Sequence, residues 1–191
     1  LSQKVRPEDV FMFYYAGHGS MVDNNFYFIP TGGVSLYQLA KLTGESIQAV
    51  EIQEKFRNIP ALKQVVILDA CQSGGSTGVL AQRGAMEEKV LAQLSRSSGI
   101  HVLAAAGSEQ YATEVSSLGH GLFTYAILQA LDGEADGAPR DGNVTVFELK
   151  AFLNDQVPEL SKKYKGSSQW PYTFSIGHDF PLIRREGLPV E

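Results

Sequence analysis

The 191-residue sequence is poor in the residues that mark several large classes of protein. It has one cysteine, so no disulfide can form within the chain, and a reducing compartment such as the cytoplasm is expected. One cysteine and four histidines also disfavour a zinc site. No apolar run approaches the roughly 20 residues of a membrane-spanning helix, and no signal peptide opens the chain. The net charge of −5 gives no reason to expect a nucleic acid or an anionic membrane as partner.

What the sequence does contain is a series of short apolar runs that alternate with stretches of helical spacing. Strands are predicted at residues 10–15, 26–29, 64–69, 100–105 and 170–176. Helices are predicted at residues 47–58, 86–97, 120–131 and 145–156, the last capped by Thr145 with Glu148 three positions on. This alternation predicts an α/β sandwich with a mostly parallel sheet. The last strand is expected at an edge, because Pro171 cannot donate to a ladder.

Two short motifs follow the first and third of these strands. The first is Y-A-G-H-G at residues 15–19, and the second is D-A-C-Q-S-G-G at residues 69–75. His18 and the single cysteine, Cys71, are therefore expected just past the carboxyl ends of two parallel strands, where open α/β sheets form their active crevices. Gly17 and Gly19 are expected to turn the backbone tightly around His18.

A thiol beside an imidazole is a nucleophile with its base. A lone cysteine is commonly just a small buried side chain, but the residues around Cys71 favour the catalytic interpretation. His18 can accept the thiol proton and return it to a leaving amine. The backbone N–H groups of Gly19 and Cys71 are candidate donors to the developing oxyanion.

Four motifs in order cover most of the chain and carry a resemblance to a known family. They are Y-Y-A-G-H-G at 14–19, D-A-C-Q-S-G-G at 69–75, V-L-A-A-A-G-S-E-Q-Y-A-T-E at 102–114 and G-H-G-L-F-T-Y-A-I-L at 119–128. The chain resembles the caspase-like cysteine peptidases, and within them the metacaspases and their bacterial relatives. Caspases carry Q-A-C with a histidine about 50 residues upstream, a spacing that fits here. The residue two before Cys71 is Asp69 and not Gln.

The resemblance implies a three-layer α/β/α sandwich and a catalytic dyad of His18 and Cys71. It also implies that residues 1–191 form one caspase-like peptidase domain that is incomplete at its N-terminus. An upstream segment or chain is then expected to supply the first two sheet strands. Protein or peptide substrates are the other expected partners. No cofactor is required, although some metacaspases need calcium; the acidic turn at 132–137 only loosely echoes a calcium loop, because Asn143 stands where the twelfth-position carboxylate belongs.

Asp69 is the residue from which substrate preference is predicted. It lies two positions before Cys71 in a strand, so its side chain is expected on the same side as the nucleophile. A partly buried carboxylate there can receive a cationic side chain, and the resemblance implies a pocket for a basic residue. Cleavage after Arg or Lys is therefore expected. The alternative is that Asp69 caps a backbone turn. A second pocket carboxylate is expected from Glu109, Asp23 or the upstream segment.

The stretch at 72–99 is predicted to hold a loop in which the resemblance implies self-processing. Arg83, which precedes Gly84, is the candidate cleavage point. Two other functions are alternatives to a peptidase. A non-catalytic scaffold or regulatory module on the same fold is disfavoured, because both members of the dyad are present. An unrelated α/β hydrolase is disfavoured, because residues 69–73 do not form a nucleophile elbow.

Overall fold

A computed structural model of the chain describes residues 3–23, 25–32, 34, 38–72, 100–105 and 119–184, without the side chains of residues 70–72. The described strands are β1 (Val10–Val22), β2 (Asn25–Ile29), β3 (Ile47–Gln48), β4 (Lys63–Gln72), β5 (Ile100–Ala104), β6 (Asn143–Thr145), β7 (Tyr172–Ser175) and β8 (Pro181–Arg184). The described helices are α1 (Leu39–Glu45), α2 (Ala49–Arg57), α3 (Leu122–Gln129), which continues into a π-helical turn (Ala130–Glu134), and α4 (Val146–Lys165). The predicted helix at 86–97 lies outside the described residues.

The main sheet has the strand order β3-β2-β1-β4-β5-β7. Its central strands β1, β4 and β5 are parallel, and β2, β3 and β7 join antiparallel at the two sides. Strands β6 and β8 form a separate antiparallel ribbon. The sheet confirms the predicted α/β architecture, with β7 at an edge as Pro171 indicated. The strand predicted at 170–176 is not the last one, however, because β8 follows it.

The core consists of two apolar clusters, one on each face of the sheet. Alternate residues of β4 enter opposite clusters, since successive side chains of a strand point to opposite faces. Val65 and Ile67 pack with α3 and α4, whereas Val66 and Leu68 pack with α2. This alternation produces the three-layer arrangement of helices, sheet and helices.

Helix α4 begins as predicted and ends later than predicted. Thr145 and Glu148 form a capping box, in which each side chain accepts the backbone N–H of the other residue. The helix then continues past residue 156 to Lys165, because Val157 and Ser161 extend its buried face through Pro158. It ends at Gly166, whose φ of 76° is the left-handed conformation that closes helices.

Strand β1 is longer than predicted, and this corrects the expectation for the first motif. The strand does not turn after Tyr15; it continues through the Gly-His-Gly sequence to Val22. The reason is tertiary, because β2 folds back and pairs with β1 from His18 to Val22 and so extends the ladder. Strand β4 likewise runs through Cys71 to Gln72, so both motif residues lie inside strands and not past their ends.

One side of β1 has a long stretch without a neighbouring strand. Strand β4 pairs with β1 from Val10 to Gly19, but β2 pairs with it only from His18 onward. Among the described strands, none therefore pairs with the other edge of residues 10–17. The side chains of Val10, Met12 and Tyr14 on this stretch are 41%, 41% and 46% exposed. Within the described parts of the chain, no helix is long and apolar enough to cross a membrane.

Candidate active site

The two predicted catalytic positions are direct neighbours in the sheet. His18 on β1 is the register partner of Cys71 on β4 in a parallel ladder. Their Cα atoms are therefore separated by one interstrand spacing, about 4.8 Å. The imidazole of His18 is exposed, and at Cys71 the structure describes the backbone alone. The ladder thus brings together the two backbone positions that the motifs single out.

Tyr15 fixes the backbone at His18. Its hydroxyl lies 2.7 Å from the carbonyl oxygen of His18 and 2.9 Å from that of Ile29, and its single proton is shared between these two acceptors. Its ring packs edge-on against Phe28 at 4.8 Å between centroids. Burial raises the pKa of the Tyr15 hydroxyl, an effect that the hydrogen bond to Ile29 opposes in part. The protonated hydroxyl therefore ties β1 to β2 at the position of the candidate base.

Gly19 is a glycine because of a close approach and not because of a turn. A Cβ atom built on it would lie 2.2 Å from Cζ of Phe26, a distance that no packed structure tolerates. Gly19 is also the last β1 residue in the ladder with β4, opposite Gln72. Its amide therefore lies at the end of that ladder, beside the backbone of Cys71.

Asp69 is buried, with 8% of its surface exposed, and it contacts the start of helix α3. Its Oδ2 accepts a hydrogen bond from the backbone N–H of Thr124 at 3.2 Å and a second from the Thr124 hydroxyl. Thr124 is the third residue of α3, so the carboxylate caps an N-terminal N–H group that has no partner within the helix. The negative charge also lies at the positive end of the helix dipole.

Two further residues complete this arrangement. The hydroxyl of Tyr14 lies 2.7 Å from Oγ1 of Thr124. Because Oγ1 has one proton and donates it to Asp69, the Tyr14 hydroxyl is the donor in this second bond. Gly121 provides the space, since a Cβ atom there would lie 2.8 Å from Oδ2 of Asp69. The hydrogen bonds therefore run from Tyr14 to Thr124 and from Thr124 to Asp69.

Sequence reasoning did not single out Tyr14, Gly121 or Thr124 as site residues, although two signals point toward them. Tyr14 lies four positions before His18 in one strand, and so on the same face. Gly121 and Thr124 both belong to the G-H-G-L-F-T motif at 119–124.

The candidate base and the carboxylate share one face of the sheet. Asp69 is the register partner of Ala16, which lies two residues before His18 on β1. Two residues of strand correspond to about 7 Å along the chain direction. Tyr14 and Asp69 both reach Thr124 on the α3 side, so by alternation His18 faces that side as well. The imidazole and the buried carboxylate thus lie on one face of the sheet, and the carboxylate lies at the N-terminus of α3.

A comparison with protein families now decides the assignment. The family model for peptidase C14, the caspase domain, matches residues 1–179. The chain belongs to the caspase family. The resemblance to the caspase-like cysteine peptidases is thereby confirmed at the level of the C14 family, as is the caspase-like fold. A comparison with curated proteins returned no match.

Of the remaining predicted site residues of this caspase domain, Asp23 is described, and it is not brought together with Asp69. Asp23 is exposed, has a φ of 46° and forms the hairpin turn between β1 and β2. Seven residues of strand separate it from Ala16, the partner of Asp69, which corresponds to about 20 Å along β1. Glu109 and Arg83, the other predicted pocket carboxylate and the predicted processing site, lie outside the described residues.

The acidic turn of the caspase domain uses its carboxylates to hold its own backbone. Asp136 accepts hydrogen bonds from the N–H groups of Asp141 at 3.2 Å and Gly142 at 3.0 Å. The described residues contain no group of three or more His, Cys, Asp or Glu side chains that could hold a metal ion. The Asp136 side chain at this turn therefore acts as an acceptor for the loop backbone.

Proposed function

We propose that this caspase domain is a cysteine endopeptidase that hydrolyses peptide bonds after Arg or Lys. The observation that carries the proposal is the register pairing of His18 with Cys71, in a chain that belongs to a family of cysteine peptidases. Neighbouring positions on parallel strands hold a nucleophile and its proton acceptor at a fixed separation. A catalytic pair needs such a fixed separation.

The proposed reaction begins with transfer of the Cys71 thiol proton to His18. The sulfur attacks the scissile carbonyl carbon, and the oxyanion that forms is stabilised by the N–H groups of Gly19 and Cys71. His18 returns the proton to the leaving amine as the C–N bond breaks, leaving a thioester on Cys71. Water, deprotonated by His18, then hydrolyses the thioester and regenerates the thiol. No cofactor is required for this sequence of steps.

Asp69 is the proposed receptor for the basic side chain of the substrate. Its position on the same sheet face as His18, about 7 Å along the strand, suits a long side chain whose own carbonyl group lies at the dyad. Oδ2 is occupied by Thr124, whereas the described residues place no hydrogen bond on Oδ1. A buried carboxylate with one oxygen available favours a guanidinium or ammonium group over a neutral or acidic one.

Activation is proposed to involve self-processing at Arg83 and an upstream segment of the protein or a separate chain. The expectation of an upstream segment is supported by β1, because no described strand pairs with one edge of residues 10–17 and three apolar side chains there are half-exposed. A strand added there would pair with that edge, and a helix joined to it would cover the exposed face. Calcium is a condition to be tested and has no assigned site.

The test is a panel of fluorogenic peptides with Arg, Lys, Asp, Asn or Leu before the scissile bond. Unaltered protein and Cys71→Ala are compared, with and without calcium, using the longest available chain. We expect release after Arg and Lys only, reduced to background in Cys71→Ala, because the thiolate is the nucleophile. Ser20→Ala, a change next to the motif that spares the dyad, is the control and should retain activity.

Other results of the panel lead to different conclusions. Release after Asp or Leu that depends on Cys71 would keep the dyad and reject Asp69 as the receptor. Release that persists in Cys71→Ala would reject the dyad itself. An inactive chain under every condition would favour the alternative function, a non-catalytic scaffold or regulatory module built on the caspase fold.

A further inference from the structure

We propose that Thr124 is a specificity-determining residue, which selects for a basic substrate side chain by holding the carboxylate of Asp69 in one orientation. This inference rests on the proposed function and deepens it. Among the described residues, the side chain of Thr124 bonds to Asp69 and Tyr14, so it acts through Asp69 as a positioning residue. Tyr14 is the second member of the same hydrogen-bonded chain.

Both hydrogen-bond donors of Thr124 bind the same oxygen of Asp69. The backbone N–H and the hydroxyl of Thr124 both donate to Oδ2 of Asp69. Two donors on one oxygen fix the plane of the carboxyl group, because a partial turn would break both bonds and a half-turn only exchanges two equivalent oxygens. Oδ1 is then the oxygen left for a cationic ligand.

The Thr124 hydroxyl is itself held in one orientation by Tyr14. The Tyr14 hydroxyl donates to Oγ1 at 2.7 Å, which occupies a lone pair and leaves the single Oγ1 proton directed at Asp69. Tyr14 is 46% exposed, so the first residue of this hydrogen-bonded series borders solvent, whereas Asp69, the last residue of the series, is 8% exposed. The orientation of a buried charge is thus controlled through a residue at the surface.

The surroundings of Asp69 leave its carboxylate little freedom to move. Gly121 has no side chain, and a Cβ atom there would lie 2.8 Å from Oδ2. The start of α3 therefore closes one side of the Asp69 carboxylate. Removing the hydroxyl of Thr124 takes away one of two restraints without opening space for a new rotamer.

The main experiment measures discrimination between arginine and its uncharged isostere citrulline at the position before the scissile bond. Thr124→Val keeps the shape and the backbone N–H but loses the hydroxyl. We expect kcat/KM for the arginine peptide to fall about tenfold, mostly through KM, since a hydrogen bond to a charged group is lost. The kcat/KM for the citrulline peptide should fall much less, so the ratio of kcat/KM for arginine to that for citrulline should decrease.

Two further variants separate specificity from stability. Thr124→Ser restores the hydroxyl and should return the arginine preference to near the unaltered value. Thr43→Val removes a helix threonine hydroxyl in α1, one that donates to the carbonyl of Leu39, and should leave the preference unchanged. An equal loss for both peptides, or no loss for either, would overturn the inference.

A binding experiment keeps the inference testable if peptide cleavage fails. Agmatine, a small guanidinium compound, is titrated into Cys71→Ala protein by calorimetry, so chemistry plays no part. We expect binding that is weakened about tenfold by adding Thr124→Val and lost on adding Asp69→Asn. Agmatine binding that depends on Thr124 in a chain that cuts no peptide would reject the peptidase and retain the role of Thr124. Binding that ignores Thr124, or no binding at all, would reject that role.

Discussion

His101 on β5 is a histidine that the fold keeps neutral. It is fully buried, as expected for a core histidine, and its Nε2–H donates to the carbonyl of His178 at 3.2 Å. Its Nδ1 has no hydrogen-bond partner among the described residues. The rings of Phe147 and Phe180 pack edge-on against it. A proton on Nδ1 would therefore place a charge in an apolar site with no acceptor beside it.

The pKa of His101 is lowered from its ordinary value of 6.5, chiefly by burial. The hydrogen bond to His178 and the charge of Asp179 oppose this effect, and the charge of Lys150 adds to it. Because the unfolded chain binds the proton more readily, unfolding takes up a proton once the pH falls below about 6.5. The stabilising contribution is present above that pH and is lost as the pH decreases toward and through the folded-state pKa.

We therefore expect the free energy of unfolding, measured with urea, to decrease between pH 7.5 and pH 5. His101→Leu should be less stable at pH 7.5 and should show a flatter dependence across this window, because it cannot take up the proton. The exposed His120 provides the control, and His120→Leu should keep the slope of the unaltered protein. A slope in His101→Leu equal to that of the unaltered protein would contradict the assignment.

At the scale of the single element, helix α4 shows how far a local pattern can be trusted. Its start was predictable because a Thr-x-x-Glu sequence satisfies two N–H groups reciprocally, at 3.2 Å and 2.8 Å. Its end was not predictable, because Pro158 disfavours a helix locally while buried contacts of Val157 and Ser161 maintain it. Tertiary packing overrode propensity at that point.

The capping box predicts a measurable loss of stability. Thr145→Ala should lower the free energy of unfolding by about 1 kcal/mol, because one N–H at the start of α4 loses its acceptor. Urea denaturation measures the change, with Thr145→Ser as the matched variant that keeps the hydroxyl. The loss of stability should stay moderate, because a neighbouring N–H at the start of α4 keeps its acceptor. This is the N–H of Phe147, which donates to Asp179 at 3.0 Å. A Thr145→Ala protein as stable as Thr145→Ser would show that the cap contributes nothing.

The two motifs of the candidate active site show a different limit of sequence reasoning. That His18 and Cys71 lie on adjacent strands followed from the apolar runs before them and from the resemblance. That β1 continues through His18 did not follow, because the Gly-His-Gly sequence reads locally as a turn. The continuation depends on pairing with β2, and the glycine at position 19 is explained by the ring of Phe26 across that pair.

At the scale of the whole molecule, the series of hydrogen bonds from Tyr14 through Thr124 to Asp69 could not be predicted from the sequence. Thr124 lies 55 residues from Asp69 and 110 residues from Tyr14, and it belongs to a helix while they belong to strands. No periodicity or spacing encodes a contact of that kind. It depends on where α3 docks on the sheet, and that is fixed by buried side chains such as Phe123 and Ile127.

The free edge of β1 is the feature of the whole molecule with the clearest consequence in solution. Between Val10 and Gly17 the amides that point away from β4 have no described strand to receive them. We expect alternate amides in this stretch to exchange hydrogen quickly in the chain of 191 residues, while those bonded to β4 exchange slowly. Residue-resolved hydrogen exchange by NMR measures both sets in one experiment.

The same measurement on a longer form of the protein tests the proposed upstream segment. If that segment supplies a neighbouring strand, the fast amides between residues 10 and 17 should become protected, and self-association through the open edge should decrease. The amides of β5, which already lie between β4 and β7, should not change and serve as the internal reference. Protection of both sets in the 191-residue chain at low concentration would show that this chain already covers its own edge. The upstream segment would then have no strand to add at β1.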